Sequence, residues 1–307
     1  MQNNKLKNKP HYVHNFQAYI NSIMKIAAVV ILYYPDNNLM DRIQTYIDIA
    51  DVLYVIDNTE KSDPGIEKIF HENIKTKYFH DGENKGIAAR LNQIASIAIK
   101  DGYNLLLTMD QDSYFTEGVA DKYIHCISNY PSIDTTAMMG VQFLSDSVNA
   151  DCETKSVSEL ITSGSVINLN LFNKIDGFDE NLFIDFVDHE YCYRSILKGY
   201  AIIKFSNIFL QHKIGEHVQK RSLGSFKYTQ RSFHSSVRLY YMVRNYLYVK
   251  SKYNKHFPKE IKKQKRGILT RIKNKLIYSN ERLKLTRFIL RAFDDYKSGR
   301  MGKTINK

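Results

Sequence analysis

No stretch of this 307-residue chain is long and apolar enough to cross a membrane. A spanning helix needs about 20 consecutive apolar residues; the longest run here, Ile26 to Tyr34, fits a buried strand. The polar, basic segment from Met1 to Pro10 is followed by no apolar core, so no secretory signal is expected. Cysteine is scarce. Cys126, Cys152 and Cys192 are odd in number and widely spaced, which predicts neither a disulfide framework nor a zinc site and fits a reducing cytoplasm. Internal repeats, low-complexity segments and G-x-G-x-x-G or Walker loops are all missing.

What is present is unevenly charged. The net charge is +12, yet residues 250–307 hold 19 Lys/Arg against 4 Asp/Glu, which leaves the preceding 249 residues at −3. The chain divides into an extension at 1–25, a near-neutral body at 26–249 and a basic tail at 250–307. Within the body, residues 26–32 form a continuous apolar run, as in a parallel strand covered on both faces. Further strands are expected at 52–56, 77–80 and 105–109, separated by helical spacing at 39–50, 66–73 and 86–100. This alternation predicts an α/β fold with a mostly parallel central sheet flanked by helices. Later strands are expected at 138–144, 163–168 and 201–205. Ligands of such sheets bind beyond the C-terminal strand ends, where Asp57 and Asp110 fall.

Asp110-Gln111-Asp112 follows the apolar Leu105-Leu106-Leu107. Two carboxylates one residue apart repel unless something positive lies between them. In a pleated strand they share a side, and hard oxygen ligands suit Mg²⁺ or Mn²⁺ holding phosphates. The competing reading is a solvated turn. Asp57 either bonds a ligand base or sugar or caps a turn. Gly86, with Ala88 and Ala89 after it, either lets a diphosphate approach the backbone or simply starts a helix. Arg90 either faces phosphate or lies on a solvated helix face. Between residues 183 and 194, Asp185, Asp188 and Glu190 are interleaved with aromatics. On a helix starting near Val187, Asp188 falls in the first turn, as a general base or a capping carboxylate. Glu190 and Arg194, four apart, read as a surface pair. His212 at a strand end either completes a metal shell or is structural, and His217 competes for that role.

Eight segments in order, IAAVVILYYPD, VIDNT, ENKGIAARLNQ, TMDQDS, TSGSVINLNLFNKIDGFDENLFIDFVDHEYCYR, LQHKIGE, VRLYYMVRNYLYV and FDDYKSGRMGK, resemble the family-2 glycosyltransferases. The similarity is to the rhamnosyltransferase-like branch that builds bacterial O-antigen and capsular polysaccharides, and it spans residues 26 to 303. The resemblance implies a GT-A (Rossmann-like) fold, a nucleotide-diphospho-sugar donor (dTDP-L-rhamnose, or a UDP-sugar), a divalent metal and inversion at the anomeric carbon. It implies that Tyr33, Pro35 and Asp57 hold base and ribose, and that Asn84, Gly86, Ala88 and Asn92 form or flank the donor loop. It implies that Asp110 and Asp112 bind metal and phosphate, that Asp188 is the base and that His212 is a late metal ligand. Arg244-Asn245 match a segment of unassigned role. The chain departs from the pattern at Tyr34, at Asn58-Thr59 and at Tyr191.

The tail carries two amphipathic stripes, Leu269, Ile272 and Leu276, then Leu285, Phe288, Ile289, Ala292 and Phe293, each flanked by Lys and Arg. Such helices either bind an anionic membrane surface or pack on the body or a second subunit. With the lipid-linked or oligosaccharide acceptor that the resemblance implies, the expectation is a protein peripheral to the inner face of the plasma membrane. A non-catalytic, nucleic-acid- or membrane-binding protein would also account for the tail. The acidic body and the lack of nucleic-acid motifs argue against nucleic acid. A sugar-nucleotide-forming nucleotidyltransferase would need a Gly- and Arg-containing loop where Tyr33-Tyr34-Pro35-Asp36 stands.

Overall fold

The computed structural model describes residues 24–61, 63–143, 152–212, 217–221, 228–232 and 234–304, with backbone alone at 143, 212, 217–221 and 228–232. Most of the expected extension, residues 1–23, lies outside them. In chain order the strands of the main sheet are β1 (Ile26–Leu32), β2 (Val52–Asp57), β3 (Thr76–His80), β4 (Leu105–Asp110), β5 (Ser113–Phe115), β6 (Thr136–Phe143), β7 (Thr154–Ser156), β8 (Ser165–Asn168) and β9 (Ala201–His212). They are ordered β3-β2-β1-β4-β8-β6-β9-β5, with β7 also against β9. β1 to β4 are mutually parallel where paired, and β6 is parallel to β9. β8 runs antiparallel between β4 and β6, and β5 and β7 run antiparallel to β9. A separate hairpin joins β10 (His217–Arg221) to β11 (Tyr228–Ser232).

Alternation along β1 shows why both sheet faces are covered. Ala27 and Val29 join one core cluster with α3 (Ile87–Lys100), α5 (Leu169–Ile175), α6 (Val187–Leu197) and α7 (Ser236–Tyr253). Ala28, Val30 and Leu32 join another, with α1 (Leu39–Gln44), α2 (Pro64–Glu72) and α4 (Val119–Ser128). Period-2 side chains buried on both faces produce the unbroken apolar run read in the sequence. Two elements differ in length from expectation. α1 stops at Gln44, where Thr45 folds back so that its hydroxyl donates to Arg42 O at 2.7 Å. β9 continues through polar Ser206 and Asn207 to His212, because β6 and β5 pair along its far half.

The tail folds onto the body. α8 (Pro258–Tyr278) and α9 (Arg282–Lys297) contribute Ile261, Ile268, Leu285 and Ala292 to the core around α7, with Ile272, Phe288 and Ile289 packed against it. Among the described residues, no helix is long and apolar enough to cross a membrane. The cysteine expectation fails: Cys126 and Cys152 form a disulfide, and Cys192 is free and buried. α4 packs against β9 while β7 pairs with β9, so residues 26 apart in sequence meet in space. That proximity is tertiary, invisible to count and spacing, and it removes the cysteine argument for a reducing compartment.

Candidate active site

The candidate site lies at the C-terminal ends of β1, β2 and β4. Asp110 is the last residue of β4 and exposed; Asp112, half-buried, is the second residue of the turn that joins β4 to β5, so the two carboxylates do not sit on a single pleated strand. Gln111 between them is fixed from two sides. Tyr33 N donates to its Oε1 at 2.7 Å, its Nε2 donates to Tyr33 O at 3.1 Å, and Arg42 Nε donates to its carbonyl at 2.7 Å. Tyr33 itself is exposed and Pro35 half-buried beside it. The pairing of Ser113 with His212 brings the backbone of His212 across from the residue after Asp112; its side chain, like that of His217, lies outside the described part. Among the described residues, no three His, Cys, Asp or Glu side chains cluster as a metal site. Two carboxylates at a sheet mouth nevertheless fit Mg²⁺ or Mn²⁺, which commonly take one or two protein carboxylates and fill the remaining positions with phosphate oxygens and water.

At the end of β2, Asp57 is buried. Its carboxylate accepts from Thr59 N at 3.0 Å, Thr59 Oγ1 at 2.7 Å and Tyr78 Oη at 2.8 Å. Asn84 Oδ1 accepts from Asn58 Nδ2 at 2.9 Å and Gly86 N at 3.1 Å, which shapes the loop before α3. Gly86 has φ +83°, and a Cβ there would stand 2.5 Å from Phe183 O, so only glycine fits. The next residue, Ile87, donates its N–H to that same oxygen at 2.8 Å. Ala88 is buried under the loop. Asn92 faces away, pairing with Phe178 N and O at 2.8 and 2.9 Å and with Glu180 at 2.8 Å. Neither expectation for Arg90 holds. It is buried, clamping Asp81 (2.5 and 2.8 Å), Asn58 (2.9 Å) and Glu83 O (2.6 Å). Its spacing of three from Ile87 and four from Ile94 was the readable signal that it shares the buried helix face. The guanidinium holds the Asp81 carboxyl far below the usual carboxylate range.

The segment before α6 is built around a strained turn. Asp185 (φ 63°) and Phe186 (φ 70°) are consecutive left-handed residues, neither a glycine; such residues cost about 1–3 kcal/mol each. Asp188 follows in the first turn of α6. Burial pushes its carboxyl up, but His189, with Nδ1 at 3.0 Å, and backbone N–H bonds outweigh that and leave the pKa below its ordinary value. His189 is raised in return: burial opposes its charge, and Asp188 and Glu159 override burial. Glu159 accepts from Tyr193 at 2.5 Å, Gln264 at 3.0 Å and Lys263 at 3.1 Å, and Gln264 Nε2 lies 3.1 Å from His189 Nε2. The basic tail thus reaches the neighbour of the candidate base, which the sequence reading missed.

Arg238, at the start of α7, was also missed. Its guanidinium lies 3.2 and 3.4 Å from the Asp185 carboxylate. Asp185 foremost, then Asp110 and Asp112, raise its pKa, and Asp185 in turn feels Asp188. Burial, the largest influence, pushes Asp185 up. Arg238 is thus the link: it pairs with Asp185, which neighbours Asp188, and it feels the charges of Asp110 and Asp112. Glu190 and Arg194 are not a surface pair: Glu190 is fully buried, bonded to Arg194 at 2.7 and 3.0 Å and to Tyr253 Oη at 2.5 Å.

Chemically, the arrangement offers a carboxylate in the first turn of α6, two carboxylates at the end of β4 and a glycine-tight loop before α3. No family model matches the chain. It is 24% identical over 240 residues to the dTDP-rhamnosyl transferase RfbF of Shigella flexneri, covering 72% of this chain and 78% of that relative. Its structure is similar to S. aureus TarS 1-349 in complex with UDP-GlcNAc, with a TM-score of 0.51, 14% identity and coverage of 89% of this chain and 80% of that one. It is also similar to GalNAc-T7 with UDP, GalNAc and Mn²⁺, with a TM-score of 0.51 and 11% identity over 62% of this chain, but it spans only 44% of that chain.

Proposed function

We propose that this chain, a GT-A glycosyltransferase distantly homologous to RfbF, transfers a sugar with inversion from a nucleotide-diphospho-sugar to a glycan hydroxyl in bacterial surface-polysaccharide synthesis. The donor is dTDP-L-rhamnose, the acceptor a lipid-linked or free oligosaccharide. The observation that carries the reading is Asp188: a carboxylate in the first turn of α6, held below its ordinary pKa, three residues from Asp185, whose partner Arg238 also feels Asp110 and Asp112.

In this mechanism Asp188 accepts the proton of the acceptor hydroxyl as its oxygen attacks the face of the sugar opposite the leaving group. The loop from Asn84 to Ala88 holds the donor close to backbone, and Tyr33, Pro35 and Asp57 border the nucleoside. Asp110, Asp112 and His212 would hold a divalent cation, which supplies positive charge to the departing diphosphate when bound. One displacement suffices, so no protein nucleophile is needed. A UDP-hexose is the second reading of the donor, favoured by the UDP-GlcNAc in TarS. Leu269, Leu283 and Leu290 stand exposed among Lys and Arg on α8 and α9, which supports peripheral attachment to an anionic bilayer at the inner face of the plasma membrane.

The test is a donor panel with Mg²⁺ or Mn²⁺ and a lipid-linked oligosaccharide extract. Nucleoside diphosphate release that needs metal and acceptor and is fastest with dTDP-rhamnose is expected. Release from UDP-sugars alone selects the second reading, and absence of release from every donor overturns both.

A further inference from the structure

The Arg244-Asn245 pair had no role in the sequence. Arg244 is buried and anchors the chain end, donating to Gly302 O at 2.8 Å and Arg300 O at 3.4 Å. Asn245 points the other way. Fully buried on α7, it donates through Nδ2 to the carbonyls of Ile184 at 2.8 Å and Asp185 at 3.1 Å. Arg244 Nε donates to its Oδ1 at 3.2 Å, which fixes the amide orientation with NH₂ toward the turn.

Those two carbonyls belong to the left-handed turn at Asp185 and Phe186. A non-glycine chain does not stay in that conformation unless its surroundings hold it. Asn245 supplies that hold from the backbone side, and Arg238, two helical turns earlier on the same face, supplies it from the Asp185 side chain. Phe183, one residue before Ile184, stacks on Tyr241 of the same helix at 5.2 Å. α6 leaves the turn at Phe186, whose carbonyl accepts from Glu190 N at 3.0 Å, so the turn sets the direction in which Asp188 is presented.

We propose that Asn245 is a positioning residue for the base: its amide locks the strained 184–186 turn and thereby fixes where the Asp188 carboxylate stands. The inference rests on the reading of Asp188 given above. It explains why an amide is needed there, since a carboxylate of the same size would face two carbonyl oxygens with no proton to give.

The experiment compares wild type, Asp188→Asn, Asn245→Asp and Asn245→Ser, the last leaving one small donor. With the donor that wild type uses, Asn245→Asp is expected to lower kcat about 10- to 100-fold, the scale of a misplaced reacting group. Donor KM and nucleoside diphosphate affinity by calorimetry should stay within about threefold, since no donor contact is touched. Asn245→Ser should fall between. In hydrogen exchange, the peptide covering 183–190 should exchange faster in Asn245→Asp while the β1 and β4 peptides do not. Wild-type kcat in both Asn245 variants, unchanged exchange at 183–190, or an equal loss of donor affinity overturns the proposal. Full activity of Asp188→Asn overturns the underlying reading instead.

Discussion

Gln111 and Tyr33 exchange two hydrogen bonds, side-chain amide against backbone, at 2.7 and 3.1 Å. The residue between Asp110 and Asp112, the carboxylates proposed to hold a metal, is therefore tied to the end of a different strand. Gln111→Leu keeps the size and removes both bonds, each contributing about 1 kcal/mol. Nucleoside diphosphate affinity in Mn²⁺ should weaken by up to about 30-fold by calorimetry, the equivalent of about 2 kcal/mol. Unaltered affinity would mean that the tie does not orient the carboxylates.

Asp188→Asn should remove transfer while sparing the binding of donor. The amide cannot take a proton, so kcat should fall by at least about 10²-fold, the typical contribution of a general base. Turnover near the wild-type rate sinks the assignment.

The Asp188–His189 pair should be visible in stability against pH. His189 has a folded pKa raised above its ordinary 6.5. Its contribution is therefore complete below 6.5 and lost as pH rises through the folded value. Asp188 is depressed below 3.8, so its contribution is complete above 3.8 and lost as pH falls through the folded value. The charges facing His189 are Asp188 and Glu159, opposed by Lys263. Thermal midpoints of wild type should drop as pH rises above 6.5 more steeply than those of His189→Asn; parallel curves would contradict the pairing.

Membrane attachment is best probed by point changes. Deleting the tail would also strip Leu285 and Ala292 from the core. Leu283 and Leu290 are 79% and 65% exposed, so Leu283→Gln with Leu290→Gln should alter stability by under about 0.5 kcal/mol each. Sedimentation with anionic vesicles should fall severalfold, and unchanged sedimentation would count against the leucines as the lipid contact.

Thiol titration of unfolded, unreduced protein should find one free cysteine, Cys192. Reduction of the Cys126–Cys152 bond, which closes 26 residues, should cost about 3 kcal/mol of stability on loop-entropy grounds. Three free thiols would mean that the bond does not form.

Much of the sheet was legible because β1, β2 and β4 are covered on both faces, and burial of nearly every side chain leaves a mostly apolar run. α3 was legible through its 3.6-residue stripe. The same stripe contained Arg90, yet a charged residue on a buried face reads as solvated until its partners are known, and Asp81 and Asn58 come from other elements. Glu190 was misjudged alike, since Tyr253 lies 63 residues away. β5 and α5 were not anticipated: β5 has only three residues, and α5 begins directly after the last residue of β8. At the site, Asp110, Asp112 and Asp188 stood out as acids in apolar surroundings, whereas Arg238 and Asn245 are given meaning only by a turn some 50–60 residues earlier.

One peptide oxygen, that of Phe183, abuts Gly86 and accepts the N–H of Ile87. On the proposed reading, the sugar-nucleotide side and the proton-accepting side of the site therefore share an atom as their common wall. An engineer wishing to admit a bulkier donor cannot recontour residues 84–88 in isolation, because any outward shift pushes on the segment that carries the acid. Combinatorial libraries that retune this enzyme should vary both stretches together.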